Sequence, residues 1–144
     1  VPWLHKAAGV ACEHLAPGGE GCACYATRPP ECGAYQCRWL LGDFRPEDRP
    51  DRTGVLFDVL QGRTGAVLMA HVRPAGIRAA GKVLLEELQR LRPVYVVRGH
   101  EVELRGPRPM VEGLFFELQK HPPAGISELT LSSGRVYWRL AEPT

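Results

Sequence analysis

Hydrophobic and polar positions alternate clearly in the second half of the chain. Val55, Phe57 and Val59 alternate with Leu56, Asp58 and Leu60. After Gly62-Arg63-Thr64-Gly65, Val67 and Met69 alternate with Leu68, Ala70 and Val72. A period of two on both sides of a glycine-bounded turn predicts a hairpin. The period then lengthens. Pro74 is placed to open a helix, where its missing N–H costs nothing. Ile77, Ala80, Leu84, Leu88 and Leu91 fall on one face of that helix, and Pro93 ends it.

The same pattern returns. Val94 to Val97 and Glu101 to Leu104 read as two strands around Gly99-His100. Pro109 opens a second helix with Val111, Leu114, Phe115 and Leu118 on one face, and Pro122-Pro123 stops it. A last hairpin sets Leu129 and Leu131 opposite Val136, Trp138 and Leu140, with Ser132-Ser133-Gly134 as its turn. The expected order over residues 54–141 is therefore ββα-ββα-ββ. Short links favour antiparallel neighbours, so the fold expected is α+β: a mainly antiparallel sheet with two helices, both on one face. The similarity of the two ββα halves suggests an internal duplication.

Residues 1–41 follow neither period. They are rich in Cys, Gly and Pro and read as an irregular module, packed with the α+β portion into one compact domain. Residues 42–53, with Pro46 and Pro50 among polar residues, read as an exposed connection. The chain of 144 residues is long enough for a hydrophobic core, and 44% of it is apolar. The net charge of +2 comes from 18 basic and 16 acidic side chains. Most of the basic ones are Arg, scattered from Arg28 to Arg139. That lacks the concentrated basic stripe of a nucleic-acid binder. No apolar run has the length of a membrane span, and no secretion signal is visible. The expectation is a cytoplasmic protein with an unknown protein or small-molecule partner.

All five cysteines lie between Cys12 and Cys37 in the pattern C-x9-C-x-C-x7-C-x4-C. An odd number argues against a complete disulfide framework. In a reducing compartment, clustered cysteines bind metal or do redox chemistry. Turn-forming residues stand beside them: Pro17-Gly18-Gly19 and Gly21 before Cys22, and Pro29-Pro30 before Cys32. Four thiolates, Cys12, Cys22, Cys32 and Cys37, can then converge on one ion. Cys24 is a substitute ligand, a redox-active thiol or a small buried hydrophobe. His14 is a further candidate ligand or a turn residue.

The run Cys22-Ala23-Cys24-Tyr25-Ala26-Thr27-Arg28-Pro29-Pro30-Glu31-Cys32-Gly33-Ala34-Tyr35-Gln36-Cys37 resembles C-x-I-Y-x-x-R-P-x-x-C-R-x-F-x-C. That is the signature of the YkgJ-like cysteine-cluster proteins, a zinc- or iron-chelating family. The stretch from Ala8 to Leu15 and the following Trp39-Leu40 are similar to it too. The resemblance covers about residues 8–40 and implies metal chelation without one established activity. Cys24 and Gly33 replace the family's usual aliphatic residue and Arg. The family's additional C-x-x-C or C-C cluster does not precede Cys12, by truncation or by loss. Arg28 is the candidate for offsetting the negative charge of the thiolates by donating to sulfur; pairing with Glu31 or with a backbone carbonyl is its simpler role.

Nothing else in the sequence assembles a site. His71, His100 and His121 are far apart, Glu86 and Glu87 read as solvated, and no Walker or dinucleotide glycine loop occurs. The leading expectation is a zinc- or iron-binding protein with a structural or metal-handling site. The alternative is an iron or iron–sulfur oxidoreductase acting on a peptide or small metabolite.

Overall fold

A computed structural model describes residues 10–18, 21–62, 65–122, 126–132 and 135–140. Its centre is one sheet of six strands: β1 (Val55–Gly62), β2 (Gly65–Val72), β3 (Val94–Arg98), β4 (Glu101–Arg105), β5 (Ile126–Ser132) and β6 (Arg135–Leu140). The spatial order is β1-β2-β3-β4-β6-β5. Every neighbouring pair is antiparallel except β2–β3. The α+β class and the ββα-ββα-ββ order expected from the pattern are those of the structure. The final hairpin has the anticipated register, with Leu129 paired to Trp138 and Leu131 to Val136. The turn residues Arg63, Thr64, Ser133 and Gly134, and Pro123, lie outside the described residues.

The helices correct one expectation. Leu84, Leu85 and Leu88 of the helix α3 (Ala79–Leu91) pack on Val55, Phe57, Ala70, Val94 and Val96. Val111, Leu114, Phe115 and Leu118 of α4 (Arg108–Lys120) pack on Tyr95, Val102, Leu104 and Val136. Val94 and Val96 point to one face of β3, and Tyr95 and Val97 to the other. The two helices therefore cover opposite faces. The reason is the hand of the crossovers. The step from β2 to β3 and the step from β4 to β5 move the same way across the sheet, but they start from strands that run oppositely. A shared right hand then requires opposite faces. The unbroken apolar run Val94-Tyr95-Val96-Val97 is the signature of a strand covered on both sides.

α3 also starts later than expected. Residues 74–78 form a turn in which Gly76 takes φ 96°. The Gly76 carbonyl accepts from Arg73 Nε at 2.8 Å, and the Arg78 N–H donates to the Thr53 carbonyl at 3.0 Å. The left-handed glycine breaks the helical path that Pro74 was expected to open. The buried face is consequently Gly81, Leu84 and Leu85 rather than Ala80 and Leu91; Leu91 is 71% exposed.

The connection at 42–53 is mostly exposed, as expected, but three of its residues anchor it to the rest of the fold. Phe44 stacks on Phe57 with ring centroids 4.5 Å apart. Asp48 is buried and accepts both Arg45 Nε and Arg45 Nη2 at 3.1 Å. The short helix α2 (Pro50–Thr53) ends at Thr53, which is 1% exposed. Its Oγ1 donates to the Arg49 or Val55 carbonyl and accepts from the Val55 N–H. Asp48 and Thr53 can thus be buried within an exposed stretch because their polar groups find partners within a few residues.

The chain before β1 clasps that edge strand. Arg38 N–H donates to the Phe57 carbonyl at 2.9 Å. Tyr35 Oη donates to Asp58 Oδ2 on one face, while Phe44 stacks on Phe57 on the other. Part of an otherwise open strand edge is covered this way.

Candidate metal centre

The cysteine segment is built from turns. Leu15 and Cys22 form an isolated antiparallel bridge. Ala16 N–H donates to the Gly21 carbonyl at 3.0 Å and Ala23 N–H to the His14 carbonyl at 2.7 Å. Gly21 takes φ 88°, a left-handed conformation that glycine adopts without strain. This small loop returns Cys22 to the neighbourhood of Cys12. A 3₁₀ turn over Tyr25–Thr27 follows, then α1 (Pro30–Ala34), whose N–H of Cys32 donates to the Pro29 carbonyl at 3.0 Å. Pro30 opens that helix, and Pro29 holds the preceding residue extended.

The sulfurs divide into groups. Cys22 Sγ and Cys24 Sγ lie 3.6 Å apart, and all five cysteines are free thiols. The sulfur–sulfur hydrogen bond to Cys22 raises the Cys24 thiol above the ordinary cysteine value. Loss of solvent adds to this, as do the charges of Cys22 and the more distant Cys12. Cys12, Cys22 and Cys24 therefore share one electrostatic neighbourhood. Cys32 is exposed on α1. Cys37 is 3% exposed, next to Arg38 at the clasped edge of β1. Among the described residues, no three Cys, His, Asp or Glu side chains are gathered at ligating range. Of the four expected ligands, Cys22 is thus paired with Cys24 rather than closed into a four-sulfur group with Cys12, Cys32 and Cys37. Cys24 had only a secondary place in the sequence reading.

The pair tests what the donors fit. Two thiolates bound to one tetrahedral ion at about 2.3 Å stand roughly 3.8 Å apart. The observed separation matches that spacing. It is far longer than the ~2.05 Å of a disulfide. Sulfur donors suit zinc, iron and iron–sulfur clusters alike.

The neighbouring candidates take other partners. His14 Nε2 is 3.5 Å from Glu13 Oε1. Arg28 Nη1 donates to the Tyr25 carbonyl at 2.8 Å, and its guanidinium lies 3.9 Å from the centroid of the Tyr25 ring. A side chain at Gly33 would begin 3.7 Å from Arg28 Nε. Arg28 thus braces the turn that carries Cys24, which is the backbone-carbonyl role the sequence offered.

One polar group was invisible in the sequence. Tyr35 Oη donates to Asp58 Oδ2 at 3.1 Å. Leu56 pairs with His71 and Asp58 with Met69, so His71 lies diagonally across from Asp58 on the same face. Burial pushes the His71 imidazole below its ordinary value, against the pull of the Asp58 carboxylate. Burial, then the Asp58 charge, push the Tyr35 hydroxyl well up. The available signal was Asp58 itself, the one charged residue in the alternation of β1.

No protein-family model matches the chain, and neither the curated proteins nor the solved structures contain a match to it. Among the described residues, no helix is long and apolar enough to cross a membrane.

Proposed function

We propose that this protein binds zinc or iron through its N-terminal cysteines, with Cys22 and Cys24 as the first two ligands. Two of Cys12, Cys32 and Cys37, the remaining cysteines that the resemblance over residues 8–40 implies as ligands, complete the four-sulfur set. The carrying observation is the 3.6 Å separation of the Cys22 and Cys24 sulfurs. The Cys22 sulfur beside it raises the Cys24 thiol and so opposes formation of its thiolate. A divalent cation removes that opposition, so the pair ionises on binding and releases protons. Cys22 and Cys32 are exposed. Sulfur donors open to solvent favour exchange of the ion, so metal handling stands beside a structural role for the site.

The test is elemental analysis of protein purified without air or added metal. About one zinc or iron per chain is expected, and a brown preparation absorbing near 400 nm would identify iron bound to sulfur. Cys24→Ser should lower that content, as should Cys32→Ser. Metal-free protein that takes up neither ion on reconstitution would refute the proposal.

A further inference from the structure

A cleft of about 450 Å³ opens on the α3 face of the sheet. No cysteine lines it, so it is separate from the candidate metal ligands. Its apolar wall is Phe44, Val59, Leu68, Leu84 and Leu88. Its size falls within the roughly 300–1,000 Å³ range of small-molecule sites. The wall belongs to three elements fixed independently of any ligand: Leu84 and Leu88 on α3, Val59 and Leu68 on the first hairpin, and Phe44 by its stack on Phe57.

Five charged residues line the same cleft: Arg38, Asp43, Arg45, Asp48 and Arg92. Four of them are spoken for. Arg38 pairs with Asp43, and Arg45 makes a two-pronged contact with the buried Asp48. Glu47 lies 3.7 Å from Arg45 Nε as well, and the Glu87 carboxylate also acts on Arg45. Arg92 follows the last turn of α3, and among the described residues its side chain has no hydrogen bond or ion pair. The lining thus offers an apolar body site with one cationic group left over.

We infer that this cleft binds a small monocarboxylate with an apolar body, its chain or ring against Leu68, Leu84 and Leu88 and its carboxylate on Arg92. A guanidinium takes a carboxylate through two parallel N–H donors. A neutral ligand leaves that group unused, and a cationic one meets it with like charge. A dicarboxylate brings a second charge for which the cleft keeps no free partner.

The experiment uses the full chain as purified, with octanoate as probe and octan-1-ol and octylammonium as controls. Leucine methyl signals are followed at about pH 7, where a carboxylic acid is ionised. Octanoate should shift the methyls of Leu68, Leu84 and Leu88 saturably. Octan-1-ol and octylammonium should bind at least about ten-fold more weakly, the scale of a charged hydrogen-bond pair. Arg92→Gln should weaken octanoate about ten-fold while the melting temperature stays put. Ala66→Phe, which narrows the cleft from the hairpin side, should abolish the shifts with the circular dichroism unchanged. The inference is overturned if octanoate produces no saturable shift. It also fails if octan-1-ol binds as tightly as octanoate, or if Arg92→Gln titrates like the unaltered protein.

Discussion

The cysteine segment and the sheet are held by different forces. In the sheet and its helices, Val94, Leu104, Val111 and Val136 are wholly enclosed, and burial decides where each element lies. Between residues 10 and 36, no described residue is buried. Backbone hydrogen bonds, prolines and left-handed glycines shape that segment, and none of these contributes the non-directional stabilisation of a core. Burial resumes at Cys37, where the chain reaches the edge of β1. A stretch without a core needs another source of stability, and an ion bound by several thiolates supplies one. In the proposed reading, then, metal orders the first part of the chain, while the second folds without it.

The most disruptive change should be in the sheet. Phe57 is 1% exposed and carries both the β1 packing and the Phe44 stack. Phe57→Ala should cost about 3–5 kcal/mol in chemical denaturation. Because the stack anchors the clasp, this variant should also loosen the chain from Arg38 to Phe44, seen as faster amide exchange there.

Gly81→Ala should come next. Alanine normally favours a helix by roughly 1 kcal/mol over glycine. Here the added methyl would overlap the Thr53 carbonyl oxygen and come within 2.8 Å of Ile77 Cγ1. The Thr53 contact is with backbone, which yields poorly, so overpacking should win. A net loss of about 1–3 kcal/mol is expected, read as a lower denaturation midpoint. A gain in stability would mean that α2 and α3 can separate without cost.

The comparison is sharpest with the cysteines. Cys24→Ser, or treatment with a strong chelator, should remove metal and speed amide exchange between residues 10 and 36. Protection of β3 and β4 should change by less than about 0.5 kcal/mol, the range of surface substitutions remote from a core. Loss of protection across the whole sheet would show that the two regions fold as one unit.

This contrast also explains what was legible in the sequence. The order of elements along the chain and the pairing within the hairpins could be read because alternation at Val55–Leu60 and Leu129–Leu140 encodes which side chains share a face. The placement of α3 and α4 on opposite faces needs the strand directions, which no local pattern contains. The apolar run Val94–Val97 carries a trace of the double cover, but by itself it predicts only a strand. The burial of Asp48 and Thr53 within the exposed stretch 42–53 was hidden because their polar groups are satisfied locally, Asp48 by Arg45 and Thr53 by its neighbouring backbone. At the candidate centre, residue type and number were legible, but the partnership of Cys22 with Cys24 depends on the turn between them.

The smallest effect expected is a pH dependence on the sheet side of the boundary. His71 is held below its ordinary value by burial, with Asp58 pulling the other way. In the unfolded chain its imidazole returns to about 6.5. Between those two values the unfolded chain binds more protons than the folded one, so stability rises with pH. This contribution is complete above the ordinary value and is lost as pH falls through it toward the folded value. His71→Gln should therefore flatten the pH dependence of urea unfolding just below about 6.5. Asp58→Asn removes the opposing attraction, so it should extend the loss to lower pH. If His71→Gln kept the slope of the unaltered protein, the dependence would have to be assigned to groups outside this face of β1 and β2.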